Sequence, residues 1–425
     1  MKKRALAILM AALTASTMFA VPTFAADYSG EDPQLEKNIK ILTIWAEDND
    51  NGMLLNKICE DYQKNVNPNF TWEYEMVASD NLQQKIATLA ASNDLPDLFA
   101  YEAGAPLSVL IDSGKVKNIT EAVDEIGTAD YLNSGAVELL KGLSGTDDLY
   151  DLPLGLNVEG FWYNKALFEQ AGCEVPTTWD ELKAACEALK AYDDSIYPWG
   201  IDMTTDEGQA AFAYYTWNNG GGFVDDDGNW TLNSEQNVEA IQYAIDLVNS
   251  GYTNTDPAND TRYDLQDMFG AGKVAMLIAP NSLPTYIATG GNEVNYGVAS
   301  IPSNTGESVS AGVMDRFMCF DNDYSDDEKA AISTFFDYFY DDARYTEWVD
   351  MEGFLPATKS GGEALAAANE DMASWIDILD SCKFYPTAKA EWADVKQGVI
   401  NVEQNALLGG DVQELLDDLQ AEIAG

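Results

Sequence analysis

The stretch from Leu152 to Leu182 reads LPLGLNVEGFWYNKALFEQAGCEVPTTWDEL. Its second half predicts a strand end, a short helix that stops at Gly172, an extended turn at Pro176 and a second helix. Thr178 is placed to cap the second helix, and Glu181 follows at the spacing of a capping box. The segment therefore predicts a strand followed at once by two helices.

Short apolar runs alternate with helical patterns along the rest of the chain. Strands are predicted at residues 39–45, 94–101, 273–279, 295–300 and 313–320. A helix is predicted before the second of these strands, because Leu82, Ile86 and Leu89 recur at helical spacing. The C-terminal third is predicted to be mostly helical, with helix starts at Ser325 with Glu328 and at Asp411 with Glu414. This alternation indicates the α/β class.

One glycine- and aspartate-rich segment, GGGFVDDDGNWTL at residues 220–232, has some likeness to a calcium-binding loop. Placing Gly228 at the sixth position of such a loop puts Phe223 first and Ser234 twelfth, where carboxylates are needed. A hairpin that turns at Asp227-Gly228 is the better prediction, and no metal site is expected.

The first 25 residues have a basic start, an apolar run and a small-residue end at Ala25, which is the pattern of a secretory signal peptide. A membrane anchor is the alternative. The first cysteine is Cys59, so the lipid-modified cysteine of a lipoprotein is not available near the cleavage site. We expect a mature chain that is periplasmic or extracellular and is not a lipoprotein.

The chain is strongly acidic, with a formal net charge of −49. Loss of Lys2, Lys3 and Arg4 with the leader takes this charge to −52, which repels nucleic acids and anionic membranes at long range. Neither is expected as a partner. Solubility explains the acidity, with adaptation to high salt as a second explanation. A mature chain of about 400 residues exceeds one core and suggests two domains.

Histidine is absent, which excludes Ser-His-Asp and Cys-His nucleophiles and HExxH metalloprotease sites. The five cysteines are widely spaced and form no C-x-x-C pair, so neither a zinc site nor a disulfide framework is predicted. Buried thiols are the expectation. No catalytic residue and no cofactor is predicted.

Five segments in order resemble the maltose-binding-protein-like family 1 extracellular solute-binding proteins, which are receptors of carbohydrate ABC importers. Besides residues 152–182, they are FGAGKVAMLIAPNS (269–282), VNYGVASIP (294–302), GFLPATKS (353–360) and EWADVKQGVINVEQNALLGGDVQELLDDL (391–419). The likeness covers nearly the whole mature chain. It implies an α/β, two-lobed periplasmic-binding-protein fold with a hinge and a ligand cleft between the lobes.

The resemblance also implies lobe boundaries and a function. The N-terminal lobe would comprise residues 26–153 plus 279–322, and the helix-rich C-terminal lobe residues 158–278 plus 323–425, with residues 154–158 as a crossing strand. The chain would be a monomer that captures an oligosaccharide by hinge closure and delivers it to the membrane permease subunits of an ABC transporter. It would not be an enzyme.

Candidate site residues follow from the family's pattern, since aromatic rings stack on sugar and polar groups pair with its hydroxyls. Trp392 and Tyr101 match ring-stacking positions of the family, and Asn157 matches a carboxylate that contacts sugar. Glu47 and Asp50 follow the first strand, where polar contacts to sugar are usual in the family. A solvated turn is the alternative for these two acidic residues.

Tyr214 and Trp217 lie in YYTWNNGGG, which resembles the family's aromatic segment. Both are candidate ligand contacts, although Trp217 equally suits a core position. Asn281 and Ser282 stand where the family often has a tryptophan, so the ligand is expected to differ from maltose.

Asp315 and Arg316 stand where small residues are usual in the family. If the pair lines the cleft, Arg316 could bind sugar hydroxyls or a carboxylate, with Asp315 orienting it. The alternative is a structural ion pair. The sequence does not decide between these two interpretations.

Two other functions remain open at this point. Acidic loops such as Glu47 to Asp50 could neutralise a polyamine or another cation bound by the same fold. A secreted glycosidase with two carboxylates, or a lyase, is a further alternative, although no motif supports it.

Overall fold

The computed structural model describes residues 36–424, apart from positions 48, 78, 93, 102–110, 112–113, 115, 117, 121–131, 133, 206, 226, 320–324, 363–374, 376–377 and 379–380. The predicted signal peptide lies outside the described residues. Over the described part of the chain, no helix combines the length and the apolar character needed to cross a membrane.

The strands form one continuous path of pairing. They are β1 (Lys37–Thr43), β2 (Phe70–Met76), β3 (Leu98–Tyr101), β4 (Asp151–Asn164), β5 (Tyr197–Gly200), β6 (Val274–Pro280), β7 (Tyr296–Ala299), β8 (Ser310–Cys319) and β9 (Cys382–Lys383). Their order is β2-β1-β3-β8-β4-β6-β5, with β7 beside β4 and β9 beside β8. β1 is parallel to β2 and β3, whereas β8 is antiparallel to β3 and β4.

Helices alternate with these strands, which confirms the predicted α/β class. They are α1 (Asp50–Asn65), α2 (Ser79–Ser92), α3 (Ser134–Ser144), α4 (Lys165–Ala171), α5 (Trp179–Tyr192), α6 (Gly208–Trp217), α7 (Glu235–Asn249), α8 (Arg262–Gly270), α9 (Leu283–Thr289), α10 (Asp326–Phe339), α11 (Asp342–Glu352), α12 (Trp392–Leu407) and α13 (Val412–Ala424). The sequence did not predict β2 or α1.

The segment from Leu152 to Leu182 folds as its sequence predicts. Gly172 ends α4 in the left-handed conformation, with φ +69°, which costs a residue without a Cβ little. Thr178 and Glu181 form the predicted capping box at the start of α5. α5 then buries one apolar face, which consists of Trp179, Leu182, Ala185, Cys186 and Leu189.

β4 belongs to both lobes, because its two halves pair with different strands. Residues up to Val158 pair with β8, and Val158 lies opposite Gly312. From Glu159 onward the strand pairs with β6 and β7 instead, and Glu159 lies opposite Pro280. The chain therefore passes from one lobe to the other between Val158 and Glu159.

A second crossing segment is tied to β4 by main-chain and side-chain hydrogen bonds. Leu156 and Leu355 exchange two main-chain hydrogen bonds, of 2.9 and 2.7 Å. The Asn281 side chain accepts a hydrogen bond of 2.8 Å from the Val158 N–H and donates one to the carbonyl of Gly353. The segments that connect the lobes are thus hydrogen-bonded to one another.

The predicted lobe boundaries are wrong in two places. α10 packs against β1 and α1, and α11 packs against α1, so residues 326–352 belong to the first lobe's core and not to the second. β7 pairs with the second half of β4, and α9 packs on α8, so residues 279–300 belong to the second lobe. Helix contacts of this kind depend on tertiary packing, which local sequence patterns do not encode.

The glycine- and aspartate-rich segment is a hairpin, as predicted. Val224 and Trp230 form an antiparallel bridge, and the Asp225 N–H donates to the Asn229 carbonyl at 2.9 Å. Gly228 takes a positive φ of +78° at the turn. Among the cysteines, Cys59 and Cys186 are buried free thiols as expected, while Cys173 and Cys382 are only half-buried.

Candidate functional site

A cavity of about 640 Å³ lies between the lobes at the crossing strands, within the range of small-molecule sites. The first lobe and the crossing strands line it with Ile44, Asn157, Glu159, Val313, Asp315 and Phe354. The second lobe lines it with Glu207, Gln209, Ala210, Tyr214, Arg262, Tyr263, Gln266, Pro280, Ser282, Thr285, Tyr286, Thr289, Tyr385 and Lys396. The lining combines four tyrosines with amides, carboxylates and two cations.

Glu159 enters this cavity from the point at which β4 changes lobes. Its side chain is buried, with 7% of the residue exposed. Its main-chain carbonyl accepts a hydrogen bond from the Ser310 hydroxyl of β8, while its neighbour Val158 is held by Asn281. The position of the carboxyl is therefore fixed by the same strands that connect the lobes.

Arg262 and Glu207 form a bidentate ion pair on the second lobe. Arg262 donates from Nε to Glu207 Oε2 at 2.7 Å and from Nη2 to Oε1 at 2.9 Å. Arg262 is the first residue of α8, whose start is set by a capping box between Thr261 and Asp264. Burial opposes the charge on Arg262, but Glu207 outweighs it and raises its pKa, so the guanidinium stays charged.

The pKa of Glu159 is raised to about 8, chiefly because burial disfavours the carboxylate. Attraction to Arg262 opposes the rise in this pKa, repulsion by Glu207 adds to it, and the nearby Tyr214 hydroxyl also opposes it. At neutral pH the unliganded cavity therefore contains a largely protonated carboxyl, which can both donate and accept a hydrogen bond.

Four buried polar atoms in the cavity lining have no hydrogen-bond partner among the described residues. They are Asn157 Oδ1, Glu159 Oε2, Gln209 Oε1 and Gln266 Nε2. Most buried polar groups in native proteins are paired, and each unpaired one costs about 1–3 kcal/mol. All four atoms belong to residues that line one cavity, and each atom is buried in the unliganded chain.

Glu159 gives the unliganded chain a predicted pH dependence of stability. Its pKa lies at about 8 in the folded state, against an ordinary value of 4.5, so between these values the folded chain holds a proton that the unfolded chain has lost. The contribution of this group to the free energy of unfolding is full below the unfolded pKa and is lost as the pH rises through about 8.

We therefore expect the urea midpoint to fall as the pH is raised from about 5 to about 8. The Glu159→Gln variant, which cannot titrate, should show a shallower fall. Parallel pH profiles for the wild type and the variant would contradict the assignment.

A family profile described as bacterial extracellular solute-binding protein matches residues 46–343. The chain belongs to this family. A putative binding protein of Brucella abortus is 28% identical over 360 residues, which are 84% of this chain and 85% of the relative.

Solved structures of two proteins share the fold. An ABC transporter solute-binding protein of Thermotoga lettingae, bound with alpha-D-tagatose, has a TM-score of 0.76 at 19% identity, covering 91% of this chain and 98% of that protein. A sugar transporter of Arthrobacter chlorophenolicus with bound laminaribiose has a TM-score of 0.75 at 21% identity, covering 91% and 99%. The two-lobed fold predicted for this solute-binding protein is confirmed.

Three of the predicted site residues line the cavity of this solute-binding protein. Asn157 and Asp315 reach it from the crossing strands β4 and β8, and Tyr214 reaches it from α6. Burial raises the pKa of Tyr214, with repulsion by Glu159 as the next cause, so its hydroxyl stays protonated. Whether these side chains contact a ligand stays a prediction.

The two predicted tryptophans lie behind the cavity wall. Trp392 has no exposed surface, and its ring stacks on Tyr385 with centroids 5.3 Å apart and planes 22° apart. Trp217 is 5% exposed and packs against Phe223 and Tyr385. The expectation that Trp392 faces the ligand is not met in this structure, because Tyr385 occupies the cavity surface in front of it.

Asp315 and Arg316 separate, because successive residues of a strand point to opposite faces. Asp315 faces the cavity, whereas Arg316 is fully buried and pairs with Asp151 at 3.0 Å. Burial raises the pKa of Asp151 to about 6 despite the attraction of Arg316. Arg316 therefore forms a structural ion pair, but with Asp151, so both predicted roles of an Asp315–Arg316 pair are wrong for Arg316.

The remaining predicted residues lie on the first lobe. Glu47 is exposed in the turn before α1, and Asn49 caps that helix by accepting a hydrogen bond of 2.8 Å from the Gly52 N–H. Asp50 is the first residue of α1, and Tyr101 pairs through its backbone with Arg316. The side chains of Asp50 and Tyr101 lie outside the described part, so their roles stay predictions.

Sequence reasoning missed several cavity residues, namely Glu159, Glu207, Gln209, Arg262, Gln266 and Tyr385. Two of these residues have features in the sequence that could have identified them. Glu159 is the one charged residue between Leu152 and Tyr163, in a stretch that is otherwise apolar or uncharged. Arg262 is one of four arginines in the chain, and it directly follows a helix-capping threonine.

Proposed function

We propose that this solute-binding protein is the receptor of a carbohydrate ABC importer and binds an oligosaccharide in the cavity between its lobes. The observation that carries the proposal is the set of four unpaired polar atoms, of which three are side-chain oxygens and one is an amide nitrogen. Sugar hydroxyls both donate and accept hydrogen bonds, so one ligand class can satisfy all four.

The aromatic lining supports the same ligand class. Tyr214, Tyr286 and Tyr385 present rings to the cavity, and such rings suit the C–H faces of sugars while their hydroxyls reach polar groups. Tyr385 is supported from behind by Trp392 and Trp217, which limits its movement. A rigid aromatic wall lowers the entropy lost when a ligand binds.

Closure of the two lobes around the ligand is the proposed response to binding. The lobes are joined by β4, β8 and the segment at Leu355, and both lobes contribute to the cavity lining. A ligand held by both sides stabilises the closed state by its contacts with the lobe that moves. The monomeric, secreted receptor would then present the closed form to the permease subunits, with no catalytic step.

A polyamine is a weaker candidate for this cavity. Glu159, Glu207 and Asp315 are acidic, but Glu207 is already neutralised by Arg262 and burial raises the pKa of Glu159 to about 8. Arg262 and Lys396 place two positive charges in the same lining. These cations oppose a ligand that carries several positive charges.

Titration calorimetry of residues 26–425 tests the proposal against malto-, cello-, manno-, xylo- and laminari-oligosaccharides, a uronate-containing oligosaccharide and spermidine. We expect saturable binding of at least one neutral series, with a dissociation constant in the micromolar range or below, and recovery of the sugar uncleaved. Binding of spermidine alone that persists in moderate salt would replace the ligand class, because nonspecific attraction to an acidic surface fades with salt. Cleavage of the sugar would make the chain an enzyme.

Small-angle scattering tests the closure. The radius of gyration should decrease when the bound sugar is saturating, because the cavity narrows as the lobes approach. An unchanged radius of gyration with bound sugar would contradict hinge closure while leaving the binding intact.

A further inference from the structure

We propose that Tyr263 and Tyr286 form a second sugar subsite at the rim of the cavity, so that the preferred ligand is longer than a disaccharide. The inference rests on the proposed carbohydrate function. Packing of the core does not explain these two residues, since Tyr263 is 50% exposed and neither tyrosine belongs to any of the described hydrophobic clusters.

The two rings already form an aromatic platform. Their centroids lie 5.6 Å apart with the planes inclined by 44°, and both residues line the cavity. One comes from the start of α8 and the other from α9, two helices that pack together. An aromatic pair on neighbouring helices offers an extended apolar surface beside the polar interior.

Both rings are held in place without a ligand. The Arg262 guanidinium lies 4.4 Å from the centre of the Tyr263 ring, and Glu207 fixes that guanidinium through two hydrogen bonds. The Tyr286 hydroxyl donates to Asp267 at 3.2 Å. A ligand ring that stacks here therefore meets side chains that have already lost most of their rotational freedom.

Arg262 connects this platform to the interior of the cavity. Its charge acts on Glu159, and its guanidinium also lies against the ring of Tyr263. Arg262 is thus near both the buried carboxyl and the aromatic platform. Thr285 and Thr289 also line the cavity from α9 and add hydroxyls to its surface.

Ser282 leaves the chain more dependent on the Tyr263–Tyr286 platform for aromatic surface. It stands where the sequence resemblance leads to the expectation of a tryptophan, and it leaves the start of α9 without a large ring. Tyr286 follows one helical turn later. Aromatic surface is thereby present on α9, but displaced from the position that the resemblance implies.

The test compares disaccharides with tetrasaccharides of the malto, cello, manno and laminari series by titration calorimetry. For the series that binds, the wild type should bind the tetrasaccharide about fivefold or more tightly than the disaccharide. Tyr263→Ala and Tyr286→Ala should remove most of that gain and weaken the disaccharide less. Tyr192→Ala is the matched control, because Tyr192 is 47% exposed on α5 and lies outside the cavity lining; it should change neither affinity.

The outcomes separate the subsite from the function on which it rests. Equal affinity for both lengths, or equal losses for both lengths in the tyrosine variants, would overturn the subsite while the receptor function stands. Failure of all eight sugars to bind the wild type would overturn both.

Discussion

The Glu159→Ala variant should lose about 30-fold or more of its affinity for the bound sugar, while its unliganded form melts at the wild-type temperature or above it. The loss of affinity and the unchanged or higher melting temperature have the same cause. In the unliganded chain, the buried carboxyl has an oxygen without a partner among the described residues, so removing the group relieves a cost. In the proposed complex, the same group pairs with a sugar hydroxyl, so removing it loses a hydrogen bond.

Two further variants sharpen this prediction. Glu159→Gln keeps a donor and an acceptor and should lose less affinity than the alanine variant, because the carboxyl itself is largely protonated near neutral pH. Glu403→Gln is the matched control, since Glu403 is also fully buried, with both oxygens unpaired among the described residues, but is not a cavity-lining residue. Equal loss of affinity in the Glu403 and Glu159 variants would contradict a direct role for Glu159.

The Asp151→Ala variant should destabilise the chain by about 3–5 kcal/mol. Asp151 and Arg316 are both fully buried, and their ion pair spans 3.0 Å. Removing the carboxylate leaves the guanidinium buried without that counter-charge. Urea unfolding of the first lobe measures the loss.

The double variant Asp151→Leu, Arg316→Met should recover most of this stability, because an apolar pair avoids the desolvation of both charges. Lys57→Ala is the control for a solvent-exposed pair. Lys57 and Glu347 lie 2.7 Å apart with about half of each side chain exposed, so its loss should cost at most about 1 kcal/mol. Similar losses in Asp151→Ala and Lys57→Ala would contradict a structural role for the buried pair.

Local features of the fold could be predicted from the sequence. The capping boxes at Thr178 and Ser325 and the left-handed Gly172 depend on residues within three or four positions of one another. The predicted strands likewise follow from short apolar runs. One of them, β3, begins later than predicted, at Leu98. These elements need no knowledge of distant contacts.

The depth of a side chain and the lobe to which a helix belongs could not be predicted in the same way. Trp392 was placed in the site by resemblance, and the structure puts Tyr385 between it and the cavity. Asp315 and Arg316 looked like one pair, yet the alternation of a strand sends them to opposite sides. Arg262 and Glu207 are 55 residues apart, and only the folded chain shows that they pair.

A crystal structure of the mature chain with the sugar that binds most tightly would show directly whether the cavity between the lobes is the binding site. We expect a closed cleft with sugar hydroxyls within hydrogen-bond distance of Asn157 Oδ1 and Glu159 Oε2, and a ring stacked on Tyr385 or Tyr286. A sugar bound outside the cavity, or a filled cavity in which these two oxygens still have no partner, would refute the proposed binding site.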